Sequence, residues 1–383
     1  MSTLRVDAIR HNSATSDAIT TASDGTCSAK LTSVAGGPLS NRNLFVNGAC
    51  RIGQRGSTSL GSGYGGVDRW VQFIGGGGAT TTSQDTDVPT GQGFRNSIKL
   101  DVTTALASGS SNWAWLGQYI EAQDCQSVCK GTSNAKQLTL QFWVKSPKTG
   151  THTVRLDVQD SSDAVGATYT INSANTWEKK IITFPASTSG TINNDNGRGI
   201  LVLWVLSAGT TYSSGTLNTT WGSFVAANAA PNQPNILDST DNNFYLTGVQ
   251  LEIGDTATSF EHRSFGEELL KCYRYYYRLK GENNKTYMIG MSDNDNVNIY
   301  GFFHFPVEMR TAPTALEQNG TAGHYKVRRD TTKSCTAVPS FVDAFTFYAR
   351  VNFPSSGHGW GTGQMLWCQG GSSSSYLGFS AEL

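Results

Sequence analysis

Apolar and polar residues alternate through one short stretch after another from Asn43 onward: NLFVNGACRIGQRG, VDRWVQFI, FRNSIKLDVTT, NWAWLGQYIE, KQLTLQFWVKS, HTVRLDVQDS, ATYTINSANTWEKKIITFP, GRGILVLWVLSAG and NNFYLTGVQLEIG. In KQLTLQFWVKS, Leu138, Leu140 and Phe142 stand against Thr139 and Gln141. A period of two sends alternate side chains to opposite faces of a strand, so each stretch predicts a strand with one face toward a core. Turn residues separate them at regular intervals. That spacing predicts a mainly β protein built on an antiparallel jelly-roll β-sandwich over residues 43–262, each sheet supplying half the core.

The period changes once. Within Asn243–Leu279 an apolar run (Phe244, Leu246, Val249–Leu251) predicts a closing strand, and Gly254-Asp255 breaks it. Ser264 and Glu267 then fit a capping box, in which hydroxyl and carboxylate satisfy each other's backbone N–H. Leu269, Cys272/Tyr273 and Tyr276 recur at helical spacing, predicting a connecting α-helix over 264–280. Its aromatic stripe (Leu269, Tyr273, Tyr276, Tyr277) is too apolar to leave in water and is expected to pack between domains or against a second subunit. YMIGM, VNIYGFFHFPVEMR, GHYKVRR, AFTFYARVNFP, GQMLWCQ and YLGFSAEL predict a smaller β domain over 281–383. Before the sandwich, residues 1–40 alternate weakly around the turn signal Asp24-Gly25, predicting an attachment or strand-pairing segment closed by a linker at Gly36-Gly37-Pro38.

Charge narrows the classes. The 29 basic and 29 acidic residues cancel, and charged residues are only 15% of the chain. A neutral surface rich in hydroxyls and amides is unsuited to capturing nucleic acid, which needs clustered Lys and Arg. The 42 Gly and 10% aromatic content fit short strands and tight turns. Seven Cys (27, 50, 125, 129, 272, 335, 368) make no paired framework, and Cys125–Cys129 lacks the second pair a zinc site needs, so they are expected to be small buried hydrophobes. STLRVDAIRHNS carries charge where a leader needs an apolar core, so no secretory leader is expected, and with it a reducing cytoplasm and idle sequons at Asn218, Asn284 and Asn319. No apolar run is long enough to span a membrane, and no membrane insertion is expected.

Motifs that carry chemistry are thin. Gly61-Ser-Gly63-Tyr-Gly65-Gly66 fits G-x-G-x-x-G, but a dinucleotide site needs a helix behind it, and the strand-like VDRWVQFI follows. The His at 11, 152, 262, 304, 324 and 358 fall in no catalytic motif. Asp157, Asp160 and Asp163 offer a glycosidase pair or calcium ligands on one reading and a solvated loop on the other.

The aromatic pattern is richer. In NWAWLGQYIE, Trp113, Trp115 and Tyr119 share one strand face, opposite Leu116 and Ile120. If the latter pair faces the core, the aromatic three face outward, where rings beside amides stack on sugars. The alternative is a loop or subunit covering that face. Trp360 and Tyr376, in the Gly/Ser loops near the end, form a second candidate patch.

NRNLFVNGACRIGQRG, Tyr64-Gly-Gly-Val-Asp68-Arg69-Trp70, LTLQFWVKS, NTWEKKIITFP, FYLTGVQLEIGDTATSFEHRSFGEELLKCYRYYYR, FPVEMRTAPT and the closing SAEL together resemble bacteriophage tail-fibre and virion structural proteins of the kind marine cyanophages carry. The resemblance implies a carbohydrate-binding-module-like jelly roll, location on the virion after synthesis in the host cytoplasm, other virion proteins as partners, and assembly as homotrimers. Such modules often hold a structural calcium near the first and last strands. Asn47 and Glu252 are the nearest residues, but Thr247 stands where an Asp is usual, so no metal or other cofactor is expected. No catalytic motif comes with the resemblance.

The sequence therefore predicts a non-enzymatic virion protein, a tail fibre or similar appendage that contacts host-surface glycan. A capsid decoration or head fibre with a purely structural role is the alternative, and a polysaccharide depolymerase a third.

Overall fold

A computed structural model describes residues 6–10, 12, 13, 15, 18–29, 38–60, 62–107 and 109–383; His11, Gly36, Gly37 and Gly61 lie outside them. The chain is mainly β, and its described strands form five antiparallel sheets.

Two sheets make the predicted sandwich. One has six strands in the spatial order Glu178–Phe184, Leu138–Lys145, Asn243–Ile253, Ser97–Thr104, Ala79–Asp85, Thr58–Leu60. The other has seven: Gly222–Ser223, Asp163–Ile171, Gly150–Val158, Arg198–Ala208, Trp113–Glu121, Val71–Gly75, Gly63–Tyr64. The alternating apolar residues meet between the sheets. Leu138, Leu140, Phe142 and Val144 of the six-stranded sheet face Leu116, Ile120, Val202 and Trp204 of the seven-stranded one. At the centre Phe142 sets its edge on Trp204, 5.3 Å between centroids, and Trp204 lies 5.7 Å from Trp70. A bulge at Gly248 (φ +60°) keeps both Leu246 and Val249 inward, and Phe94 packs where a Cβ would stand.

A second core lies under two further sheets. Tyr276–Lys280, Tyr376–Ser380 and Leu316–Glu317 form a three-stranded sheet. The second sheet has seven strands: Thr332–Ser334, Tyr325–Arg328, Met365–Gly370, Thr286–Ser292, Ile299–His304, Tyr348–Asn352 and Ser340–Ala344. Tyr325, Val351, Phe353, Leu366 and Phe379 are buried among them. Near the start of the chain, Ile19–Thr21 and Cys27–Ala29 pair across a turn at Asp24-Gly25, with Ala8–Ile9 as third strand. All seven Cys are free.

The connecting helix corrects one expectation. It starts at the capping box of Ser264 and Glu267 but spans only Phe265–Tyr273. Tyr276 and Tyr277 belong to a strand, because the same residues also alternate at period two and Tyr376–Ser380 supplies a ladder for them. Leu269 and Tyr273 are half-buried. Tyr277 stacks on Phe303 at 5.2 Å and meets Tyr273 edge-on at 4.7 Å. Tyr276 is fully buried, with the Arg55 guanidinium 3.4 Å from its ring centre and its hydroxyl donating to Glu317 at 2.7 Å.

These tyrosines belong to a seam between the two halves. Arg69, 1% exposed, is ion-paired with Glu382, donates to the Tyr119 carbonyl at 2.6 Å and covers the Tyr275 ring at 3.6 Å. Burial opposes the Arg69 charge, but Glu382 beside it outweighs that and strengthens its hold on the proton. Arg274 grips Glu121 through two bonds of 2.9 and 2.6 Å, and the Tyr275 hydroxyl adds a third at 2.7 Å. Tyr64 donates to the Leu383 carbonyl at 2.6 Å, and Arg310 to those of Ala381 and Glu382 at 2.8 Å.

Candidate functional site

The seam decides the fate of the aromatic residues singled out in NWAWLGQYIE. Trp115 and Tyr119 do lie on the outer face of the seven-stranded sandwich sheet, opposite Leu116 and Ile120, yet each is only 9% exposed. Tyr275, Leu383 and Ala230 cover them, together with Leu201, Leu203 and Val205 of the neighbouring strand. Trp115 stacks on Phe73 at 6.1 Å, and the Arg198 guanidinium sits 4.4 Å over Tyr119. Trp113 is half-buried, its ring stacked on Tyr212 at 4.8 Å. The expected outward-facing platform is therefore a sealed interface, because this sheet is apolar on both sides. The unbroken run GILVLWVL carries that signal in the sequence: a strand without alternation is buried on both faces.

The second patch does not form either. Trp360 is buried, stacked on His358 at 5.2 Å, with its indole N–H donating to Asp330 at 3.0 Å. Tyr376 is half-buried in a cleft of about 440 Å³ with Gln54, Lys280 and Ser373–Ser375, and Arg278 lies 3.4 Å over its ring. The face a sugar would use is taken by the guanidinium.

The outer face of the six-stranded sheet sets aromatic and charged side chains together in ordered rows. Cross-strand register sets Ser83, Lys99, Tyr245 and Lys145 in one row, and Trp177, just before its strand, extends it. The next row holds Lys179, Trp143 and Thr247. Tyr245 is buried under its neighbours, Trp143 and Trp177 are half-buried, and Ile181 beyond them is 55% exposed. Trp177 and Tyr245 meet at 6.1 Å, nearly edge to face, with the Lys145 ammonium 4.4 Å over Tyr245 and 5.6 Å over Trp177. Asp87 fixes the arrangement by accepting from the Trp177 indole N–H at 2.8 Å and pairing with Lys145. Burial pushes the Asp87 carboxyl up, but those hydrogen bonds outweigh it and hold it below its usual value. On Lys99 the hydrogen bond to Asp101 likewise overcomes burial and raises the pKa. Glu178, next to Trp177, accepts from Lys180, Asn172 and Ser173, which outweighs burial and holds it at about 2. The loop carrying Trp177 is thus pinned.

Chemically this is a sheet face with two half-buried indoles, an aliphatic rim at Ile181, and ammonium and carboxylate groups at fixed positions. A sugar ring has an apolar C–H face for an indole and hydroxyls for the ions. A shallow face across several strands suits an extended polymer better than a small molecule that needs enclosure. Trp143 and Trp177 were both visible in LTLQFWVKS and NTWEKK, Trp143 on the side of its strand opposite Phe142 and Val144.

The other motifs resolve as packing. Gly63–Tyr64 is a short edge strand with no helix behind it. Asp157 and Asp163 line one cleft of about 220 Å³, but Asp157 pairs with Arg155 at 2.8 Å and Asp163 with Lys130 at 2.7 Å, while Asp160 accepts from Asn193. Burial raises the Asp157 carboxyl against the opposing pull of Arg155. The calcium positions do not fit a metal. The Asn47 side-chain oxygen accepts from the Ile52 N–H, and the Glu252 carboxylate is occupied by Gln250 and Thr258. Thr247 donates to the Asn96 carbonyl. Among the described residues no cluster of three or more His, Cys, Asp or Glu is placed to hold a metal, and no helix is long and apolar enough to cross a membrane.

No family model matches the chain, and no curated protein matches its sequence. Among solved structures, the enzymatically active domain of bacteriophage CBA120 tailspike protein 4 is 16% identical over 48% of this chain and 19% of its own length, with a TM-score of 0.28. A family 4 carbohydrate-binding module is 11% identical over 54% of this chain and 97% of its own, TM-score 0.30. The family 11 module of Clostridium thermocellum, in complex with a β-1,3-1,4-mixed-linked tetrasaccharide, is 14% identical over 53% and 98%, TM-score 0.26. At these scores the likenesses carry no argument, and the fold rests on the sheets themselves.

Proposed function

We propose that this chain is a non-enzymatic virion protein, an appendage of tail-fibre type that holds host-surface glycan on the outer face of its six-stranded sheet. The observation that supports the reading is the ordered row of Trp177, Lys145, Tyr245 and Lys99, with Trp143 beside it, on the outer face of that sheet. Trp143 and Trp177 stack on sugar rings, and Lys145, Lys99 and Asp101 meet their hydroxyls. Each contact is weak, and several copies on one particle multiply them through effective concentration. The N-terminal sheet attaches the chain to other virion proteins, and homo-oligomers, trimers on the resemblance, present the sandwich outward.

Calorimetric titration of the purified protein with host-surface polysaccharide tests this. Trp143→Ala with Trp177→Ala is expected to weaken binding at least about fivefold, as two aromatic contacts of roughly 0.5–1.5 kcal/mol require. Melting should be unchanged. Undiminished binding would remove the glycan from this face. Antibody labelling of intact particles separates a tail appendage from a capsid decoration. Oligosaccharide released on incubation, and lost in Asp157→Asn, would instead support the depolymerase reading, for which the shared cleft of Asp157 and Asp163 speaks.

A further inference from the structure

The outer face of the C-terminal seven-stranded sheet is apolar although none of the described residues covers it. On Met365–Gly370 the outward positions are Met365, 68% exposed, and Trp367, 47% exposed. Thr286–Ser292 adds Ile289 and Met291, and Ile299–His304 adds Phe302, all about half exposed, with Tyr300 beside them. Phe345 and Phe347 stand exposed at the edge against Tyr348. The inner face is apolar as well, with Met288, Leu366 and Cys368 in the second core. An antiparallel sheet with one face in water alternates apolar and polar residues, and this one does not. The seven exposed side chains present roughly 700 Å² if each leaves half its surface open, which nears the ~800 Å² per partner of a standard interface.

The pattern is also self-complementary. Register places Met365, Met291 and Tyr300 in one row across three neighbouring strands, and Ile289 opposite Trp367 in the row behind. Thr286–Ser292 is the middle strand, with one ring-bearing strand on each side. A symmetry axis along it lays the Met365/Trp367 strand of one copy over the Tyr300/Phe302 strand of another and brings Ile289 and Met291 near their own equivalents. Identical sheet faces stack in this way about 10 Å apart.

We propose that this face packs against the same face of further copies of the chain, with Thr286–Ser292 nearest the symmetry axis. The proposal is independent of the glycan reading. Light scattering on the full chain at high micromolar concentration is expected to give a mass of two copies, and Phe302→Lys a mass of one. Phe302 points away from the core, so near-ultraviolet circular dichroism and melting of the variant report whether it still folds. Ile289→Cys is expected to form a covalent dimer under mild oxidation and Ile181→Cys, exposed on the six-stranded sheet, is not. A monomeric wild type, an unchanged mass in folded Phe302→Lys, or no cross-link at Ile289→Cys in an oligomer would each overturn it. Wild-type monomers that bind an unrelated protein through this face would assign it to another partner.

Discussion

The two seven-stranded sheets pose the same physical problem and meet it differently. Each carries aromatic and aliphatic residues on both faces. In the sandwich the outer face is closed from within the chain: Tyr275 and Leu383 lie on Trp115 and Tyr119, and the Arg69–Glu382 and Arg274–Glu121 pairs clamp them down. In the C-terminal sheet the outer face, with Trp367 and Phe302, has no such cover. Outward-pointing aromatics therefore do not by themselves mark a ligand site. What lies over them decides, and on the six-stranded sheet the half-buried Trp143 and Trp177 lie beside Asp87 and Lys145, which hold Trp177 in place.

The sharpest way to break this comparison is to truncate matching rings. Trp115→Ala should cost about 3–5 kcal/mol in denaturant unfolding, as large buried rings do. Trp367→Ala, measured in a monomeric background, should cost well under 1 kcal/mol, as exposed substitutions do. Equal losses would mean the two faces are equally covered. Removing one partner of the buried pair in Glu382→Ala leaves Arg69 uncompensated and should cost about 3–5 kcal/mol, seen as a lowered melting temperature. A loss below 1 kcal/mol would show that the seam does not hold the halves together.

Acid gives a third contrast. His152, buried in the sandwich sheet, accepts from Gln233 and donates to the Lys148 carbonyl, and burial lowers its pKa to about 4. The unfolded chain, with an ordinary value near 6.5, binds the proton first, so stability falls as pH drops from about 6.5 to about 4. The full loss is about 3 kcal/mol by pH 4. Asp68, raised to about 6 by burial, works in the opposite direction over part of that window. Comparing wild type with His152→Gln isolates the histidine, whose removal should flatten the slope of melting temperature against pH. A modest effect belongs to the seam's tyrosine Tyr276. Tyr276→Phe removes one hydrogen bond to Glu317 and should cost about 1 kcal/mol in the same unfolding assay.

Much of this was legible in local pattern. Alternation in KQLTLQFWVKS put Leu138, Leu140 and Phe142 in the core, and Ser264 with Glu267 marked the start of the helix. The end of that helix was not legible, because CYRYYYRL satisfies periods of 3.6 and 2 alike. The ladder that chooses between them comes from Tyr376–Ser380, about a hundred residues on. The same holds for the site. Which side of its strand Trp115 faces follows from parity, but its cover is Leu383. Trp177 becomes part of a platform only through Asp87, 90 residues earlier.

Arg69 and Glu382 are 313 positions apart in the chain. Contacts this distant form late, since the ends of a long loop must meet before anything rewards the closure. Until Ala381–Leu383 arrive, a chain whose sandwich is already built leaves Trp115 and Tyr119 without Leu383 over them, alongside the open sheet that holds Trp367 and Phe302. Such a chain would show two sticky surfaces rather than one, the first of them covered only in part by Tyr275 and Ala230. Clumping during production should depend on how quickly that last segment finds its place.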